Sequence, residues 1–237
     1  MISDAKVLPP SLVNAVESQS AVLFLGAGAS YGATHPNKEP IPNAERLRDQ
    51  LSGRFLAGEL KNRPLHAVAE YAANETSLVT VQQFIRDLFQ PFGPADFHLL
   101  IPRFRWHGIV TTNYDLILER SYSSSAQRLQ QLVPFVKNGQ NVETEMKKTV
   151  NGIQYLKLHG CIDHYMDQEI PFILTSEQYT RYSKNRTRIL DRFKDWGTEF
   201  PIIFCGYSIS DPHIQTIRLM HEDPVALHAV ASVGQLC

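Results

Sequence analysis

Four short segments of the chain carry residue types that suit the binding and chemistry of a phosphate-bearing ligand. They read LFLGAGAS (23–30), TTNYD (111–115), LKLHG (156–160) and FCGYSISD (204–211). Each is an apolar stretch that ends in small and polar residues. In an open α/β sheet, the loops after the carboxyl ends of the strands form the ligand site. The four segments therefore predict one site that combines an amide, an imidazole and closely approaching glycines.

The first segment places Gly26, Ala27 and Gly28 directly after an apolar strand. Glycines there let the backbone approach a pyrophosphate closely, and the N–H groups at a following helix start favour an anion. The dehydrogenase fingerprint GxGxxG fails, because Tyr31 occupies the position of the third glycine. A second strand that ends in an acidic residue about 20 residues later is not evident either. A hydride-transfer enzyme is therefore disfavoured.

The same segment leaves a serine hydrolase open as an alternative. Residues 28–32 match the GxSxG nucleophile elbow with Ser30 at its centre, and Asp115 and His159 follow in the chain order of the α/β-hydrolase triad. An elbow lies at the sharp end of a central strand, usually with several strands before it. Here the match lies at the first strand, and its serine is well past the apolar end, so the placement argues against a nucleophile.

The second and third segments supply an amide and a titratable group. Asn113 and Asp115 precede an apolar periodic run, where either side chain can cap a helix and leave the other free for a different role. His159 ends a strand, where an imidazole can act in acid–base chemistry or serve the structure. Cys161 and His164 nearby lack the spacing of a standard zinc site, so we expect no metal.

Strands and helices alternate around these segments. We predict strands at 21–25, 108–111, 132–136, 155–158, 171–174 and 201–205, with helices between several of them. This alternation predicts an α/β fold with a doubly wound, mostly parallel Rossmann-like sheet. Further predictions are a helix near 9–18, a helix capped by Asn43, a helical insertion at about 58–102, a helix begun by Asp211 and Pro212, and a final strand after 220.

Length and composition set the class of protein. The 237 residues, 43% of them hydrophobic, can form a single domain spanning 1–237, and this domain can be the N-terminal part of a longer protein. A net charge of −1 gives no basic field for nucleic acid or an anionic membrane. Three cysteines are too few for a disulfide framework, and no signal peptide or membrane-spanning run is visible, so we expect a cytoplasmic protein.

The basic stretch 181–194 is interpreted as a solvated helix face, with a phosphate or partner contact as the alternative.

Taken in order, the four segments resemble the sirtuin-like NAD-binding family, and most closely its bacterial branch of antiviral-defence effectors. The resemblance covers about residues 20–218. GAGAS is similar to the family's first phosphate-binding loop, TTNYD to its TQN-x-D segment and LHG to its catalytic His-Gly pair. The resemblance implies that NAD is the substrate and that the following residues hold it: Gly26, Ala27 and Gly28 at the pyrophosphate, Asp115 at the carboxamide, and Ser30, Thr112, Gly206 and Ser208 as further contacts.

The resemblance also implies a chemical role for two residues, with Asn113 holding the attacking water and His159 acting as general base. Departures from the family pattern reduce the number of reactions that this chain is expected to catalyse. The paired cysteines of the deacetylase zinc module are absent, the Pro-Asp-Phe-Arg segment is not found in 34–47, and Thr112 replaces a glutamine. Hydrolysis of NAD to nicotinamide and ADP-ribose is therefore favoured. NAD-dependent deacylation, ADP-ribosylation and NAD or ADP-ribose sensing without turnover remain alternatives.

The likeness to defence effectors implies that activity is controlled, because an enzyme that destroys NAD freely would kill its own cell. We therefore expect a homo-oligomer or an activating partner protein. Two segments are suited to act as a gate over the nucleotide site: the proline-marked loop 33–42 and the helical insertion.

Overall fold

The computed structural model describes residues 9–167, 172–181, 183–207 and 214, and the backbone of 227–231. In these parts of the chain the strands are β1 (Val22–Leu25), β2 (Gly108–Thr111), β3 (Gln131–Phe135), β4 (Gly152–Lys157), β5 (Ile202–Cys205) and β6 (Leu227–Ala231). The α-helices are α1 (Pro10–Glu17), α2 (Ala44–Phe55), α3 (Leu65–Glu75), α4 (Leu78–Phe89), α5 (Ile117–Ser124), α6 (Val142–Lys148), α7 (Ser176–Thr180) and α8 (Thr187–Glu199). Turns of 3₁₀-helix occupy Ala27–Ser30, Asp96–Arg103 and Ile162–His164.

All strand pairs in the described sheet are parallel, in the order β3-β4-β2-β1-β5-β6. Strand β1 lies inside the sheet, with β2, β4 and β3 following in turn on one side of it and β5 and β6 on the other. The carboxyl ends of β1, β2, β4 and β5 therefore lie along one edge, as the positions of the four segments predicted. The prediction of a doubly wound α/β fold is confirmed.

Helices cover both faces of the sheet because the central strands are apolar on both sides. On one face, Phe24 and Leu156 pack with Phe193 of α8 in a large buried cluster. On the other face, alternate residues such as Leu23 and Tyr155 pack with residues of α1 and α5. Strands that are buried on both faces read as continuous apolar runs, which explains the sequence of β1.

The segment 58–102 is helical, as predicted, with α3, α4 and a 3₁₀-helix at Asp96–Arg103. Helices α2, α3 and α4 share a separate core with residues that follow β2 and β4, including Leu116, Cys161 and Ile162. Tyr114 joins this core, with its ring stacked on Phe172 at 5.3 Å. The helical insertion thus packs beside the carboxyl edge of the sheet, next to two of the segments that carry the candidate site residues.

The prediction of a strand at 171–174 is wrong for its described part, residues 172–174. Ile173 donates one backbone hydrogen bond to the carbonyl of His159 (3.0 Å), and the Leu174 amide donates to the Gln178 side chain (2.9 Å). Phe172 and Leu174 pack in the core of the helical insertion. An apolar run was mistaken for a strand because burial between helices and burial in a sheet require the same residue types.

The ends of the elements follow local sequence signals. Asn43 caps α2 as predicted, accepting a hydrogen bond from the Arg46 amide at 2.9 Å. The predicted final strand exists as β6. The predicted helix start at Asp211 and Pro212 lies outside the described residues.

Strand β3 forms one margin of the sheet and contains Pro134, which is exposed.

Candidate functional site

Glycines let the loops after β1 and β5 approach each other closely. The Gly28 amide donates to the carbonyl of Gly206 (2.7 Å), and the Gly26 amide donates to the carbonyl of Cys205 (3.0 Å). A Cβ atom at Gly26 or Gly28 would lie 2.6 or 2.8 Å from the Gly206 oxygen. At Gly206, where φ is +62°, it would lie 2.0 Å from the Ala29 nitrogen. These glycines are therefore required by contact between two loops, whatever ligand lies above them.

Asn113 lies where the loops after β1 and β2 meet. Its Nδ2 donates to the carbonyl of Gly26 (2.8 Å) and to the Ser30 hydroxyl (3.0 Å). Its backbone amide donates to the Thr111 hydroxyl (2.9 Å), which in turn donates to the Leu25 carbonyl (2.8 Å). The Asn113 side chain is half-buried, and its Oδ1 accepts no hydrogen bond from the described residues. The amide is thus held in one orientation with an acceptor still available.

Asp115 is buried, and described groups contact both of its carboxylate oxygens. Oδ2 accepts from the Ser30 hydroxyl (2.7 Å), while Oδ1 accepts from the Ile117 amide (3.0 Å) at the start of α5. The N-cap position of α5 is Leu116, so neither predicted residue occupies it. Of the two, Asp115 is the one whose side chain bonds the first helical amide, whereas the Asn113 side chain is turned toward the carbonyl of Gly26. Each carboxylate oxygen has a second lone pair, so Asp115 can accept another hydrogen bond from a ligand.

Ser30, Asn113 and Asp115 line a small cavity of about 20 Å³ at this point. Residues from three strand ends and from the helical insertion complete its walls: Leu25, Ala29, His98, Ile101, Thr111, Ile117, Leu118 and Tyr155. A cavity of this size holds about one water molecule. A dinucleotide therefore needs this arrangement to open, or binds with only a small group at the recess.

His159 is buried two residues beyond the end of β4. The ring of Tyr179 approaches it edge-on, with 5.8 Å between ring centroids. Strand β4 pairs with β2, and the Leu158 amide continues that ladder with a bond to the Thr111 carbonyl (2.8 Å). The segment that carries His159 is thereby fixed beside the segment that carries Asn113.

His98, from the 3₁₀-helix of the insertion, is a component of this region that the sequence reasoning missed. Its Nε2 lies 2.8 Å from the Ala29 carbonyl, and its Nδ1 accepts from the Ala95 amide at 2.9 Å. These two hydrogen bonds indicate a neutral imidazole that carries its proton on Nε2. Burial lowers the pKa of His98, although the Ala29 carbonyl and Asp115 partly oppose this. The one signal in the sequence that could have indicated His98 was its place among the apolar residues of 97–101.

His98 should make the fold less stable in acid. Because its folded pKa is depressed, this contribution is fully present above the usual value of 6.5 and is lost as the pH falls through the folded pKa. We expect His98→Phe to reduce the loss of unfolding free energy between about pH 7.5 and about pH 5.5, as measured by urea unfolding. The same pH slope in the wild type and the variant would contradict this assignment; His107, whose pKa is also lowered, contributes equally to both.

Comparison with known proteins agrees with this architecture. The model of the SIR2-like domain family matches residues 107–221, which include the segments around Asn113, His159 and Gly206. The resemblance to the sirtuin-like family is confirmed. A Sir2 homologue, solved as a mutant in complex with ADP-ribose, superimposes with a TM-score of 0.50 at 15% identity. That alignment covers 90% of this chain and 80% of the homologue, and it supports the sirtuin-like fold.

Two curated relatives of this chain are called NAD(+) hydrolase ThsA. The protein from Cytobacillus dafuensis is 25% identical over 92% of this chain, and the protein from Enterococcus faecium is 25% identical over 90%. The matched region is 41% and 42% of the length of these relatives. The chain therefore spans about two fifths of each relative's length.

The structure brings together most of the residues assigned by the sirtuin-like resemblance. Gly26, Ala27, Gly28 and Ser30 form one turn, Thr112, Asn113 and Asp115 lie beside it, and Gly206 contacts it from β5. Ser208 lies outside the described residues. The Thr112 amide is 3.4 Å from the Leu25 carbonyl, which places Thr112 against the end of β1. NAD contacts for all of these residues remain predictions.

The remaining groups singled out in the sequence are a cysteine near His159 and the basic stretch 181–194. Burial raises the pKa of the Cys161 thiol, which packs in the core of the insertion. In the described regions no group of three potential ligands could hold a metal ion, and no helix has the length and apolarity for a membrane span. In the basic stretch, Arg192 pairs with Glu143 (3.0 Å) and Lys194 with Asp191 (3.4 Å). Arg186 in the same stretch is buried, so the interpretation as a solvated helix face does not hold for this residue.

Proposed function

We propose that this sirtuin-like chain hydrolyses NAD to nicotinamide and ADP-ribose, as the effector domain of a bacterial antiviral-defence protein. The observation that carries the proposal is the convergence of the Asn113 amide, the Asp115 carboxylate and the glycine loop at one recess. Similarity to two proteins named NAD(+) hydrolase, over nine tenths of this chain, supports the same substrate.

The chemistry fits the groups that are present. The bond between C1′ of the ribose and the nicotinamide nitrogen breaks through an oxocarbenium-like state, as in glycoside hydrolysis. The bonding electrons leave with nicotinamide, which is cationic in NAD and becomes neutral, so a strong acid is not required. Water then bonds to C1′ and releases one proton. In this proposal the free Oδ1 of Asn113 orients that water, and His159 accepts its proton.

Asp115 suits recognition of the leaving group. Its carboxylate is buried and fixed by Ser30 and Ile117, and its remaining lone pairs can accept the N–H groups of a carboxamide. The serine-hydrolase alternative gains no support from these bonds. Ser30 is buried and donates directly to Asp115, so its hydroxyl proton is directed to a carboxylate and not to an imidazole base.

The small volume of the recess supports control of access. The Ser30 hydroxyl donates to Asp115 and accepts from Asn113, and the cavity beside these three residues holds about one water. We propose that the competent conformation is a minor population of the isolated chain, and that self-association or an activating partner increases it. The loop 33–42 and the helical insertion are the segments suited to this movement.

The decisive experiment is to incubate the purified chain with NAD and measure nicotinamide and ADP-ribose by chromatography, over a series of protein concentrations with size followed by light scattering. We expect both products, with specific activity rising as the protein associates. Turnover only with an acylated peptide would indicate deacylation, and saturable NAD binding without product would indicate a sensor. Full activity in a dilute monomer would contradict the proposed control by assembly.

A further inference from the structure

Lys157, the last residue of β4, has a side chain that is 1% exposed. Its Nζ donates to Glu119 Oε1 of α5 (2.6 Å) and to the main-chain carbonyl of Asp115 (2.8 Å). The ring of Tyr155 lies 5.4 Å from the same nitrogen. A buried ammonium is costly unless it is paired and hydrogen-bonded, and here both conditions are met.

Lys157 and Glu119 each stabilise the charged form of the other. Burial is the largest single influence and lowers the pKa of Lys157, but the raising effects of its neighbours, Glu119 first among them, together outweigh burial and hold the pKa well above its usual range. Burial raises the pKa of Glu119, and Lys157 opposes that change. A buried ion pair is weak evidence for stability, because an apolar pair of similar volume often serves the fold as well. The contact with the Asp115 carbonyl gives the buried ammonium a second hydrogen bond, and it also ties Lys157 to the loop of Asn113 and Asp115.

That contact joins the two segments on which the proposed chemistry depends. The Asp115 carbonyl belongs to the loop of Asn113 and Asp115, while Lys157 stands two residues before His159. The β2–β4 ladder ends with the Leu158 amide on the Thr111 carbonyl, and beyond it the Ile162 amide donates to the Tyr114 carbonyl (2.9 Å). Lys157 also reaches past the end of that ladder, and it adds a side-chain contact at the next residue of the loop, Asp115.

We propose that Lys157 is a positioning residue, which holds the Asn113–Asp115 loop at a fixed distance from His159 while Glu119 keeps its ammonium in place. The expected effect of Lys157 on the reaction rate rests on the proposed NAD hydrolysis. The restraint of the loop by the buried Lys157 ammonium is a structural claim that holds or fails independently of that function. A rate that depends on the alignment of two groups falls steeply when either is displaced.

The test replaces both charges together, so that neither is left buried alone. In Lys157→Met with Glu119→Leu, we expect kcat for nicotinamide release to fall by about tenfold or more, with KM changed by less than about threefold. Amide hydrogen exchange over residues 112–117 should become faster, while the melting temperature stays near that of the wild type. A second pair, Lys157→Gln with Glu119→Gln, tests the same idea with a different packing.

The matched control removes an ion pair away from the site, with Arg192→Met and Glu143→Leu, and should leave kcat and loop exchange unchanged. Wild-type kcat and exchange in the Lys157 pairs would overturn the proposal, as would failure of both pairs to fold, since the ion pair would then serve stability. If the wild type releases no nicotinamide, the proposed function fails, and hydrogen exchange alone still decides whether Lys157 restrains the loop.

Discussion

Replacing His159 by alanine should lower the rate of nicotinamide release from NAD by about tenfold or more, because proton transfer by a positioned group typically contributes 10²–10⁴-fold. We expect a similar loss for Asn113→Ala, which removes the group proposed to orient the water. His159 lies in a loop, where its packing includes the Tyr179 ring, and its carbonyl bond to Ile173 does not depend on its side chain. Turnover and thermal melting should be measured on the same samples.

His164→Gln is the matched control, since this histidine lies five residues further on and has no assigned role. It should keep wild-type turnover. Wild-type activity in His159→Ala or Asn113→Ala would remove that residue from the mechanism. Equal losses in His164→Gln and His159→Ala would show that the whole loop, and not the imidazole of His159, is what matters.

Gly206→Ala should lower the free energy of unfolding by about 3 kcal/mol, the combined effect of a left-handed backbone and overpacking. The added Cβ would lie 2.0 Å from the Ala29 nitrogen and 2.3 Å from the Gly28 carbonyl carbon, so the two loops would have to separate. Backbone atoms cannot rotate away as a flexible side chain does. Urea unfolding measures the change, and NAD turnover should fall with it.

Gly53→Ala in α2 is the control for the same chemical change. Nothing lies within 4 Å of a Cβ at this exposed helical position, so alanine should stabilise the protein by about 0.5–1 kcal/mol through its higher helix propensity. If Gly206→Ala were as stable as the wild type, the close contact between the loops after β1 and β5 would be wrong.

The sequence predicted the parallel sheet and the gathering of the four segments at one of its edges because both rest on local patterns. Apolar runs that end in Gly-Ala-Gly or in Thr-Thr-Asn are strong signals of strands followed by loops, and parallel strands bring such loops to one edge. The order of the strands was not predictable, since it depends on long-range packing. The short apolar run 172–174 was misassigned because its residue types suit burial between helices as well as burial in a sheet.

The partners of the site residues were beyond the reach of the sequence. Lys157 reads as the polar member of an alternating strand, and nothing local shows that it is buried or that its partner is Glu119, 38 residues earlier. His98 lies in a helical run 69 residues from Ala29, whose carbonyl it contacts. Hydrogen bonds between distant segments are set by the tertiary fold, so a linear pattern indicates the residues that carry chemistry better than the residues that hold them.

The position of Pro134 in β3 limits how copies of this chain can join. A sheet margin with free N–H groups is a template for adding strands, and an unprotected one leads to uncontrolled stacking. Pro134 has no N–H group to donate, and it is exposed on a strand that, among the strands the structure describes, pairs with β4 alone. Under the proposed control by assembly, copies of this chain should therefore not join through the β3 margin of the sheet, which favours an assembly of defined size over a fibre that grows from this strand.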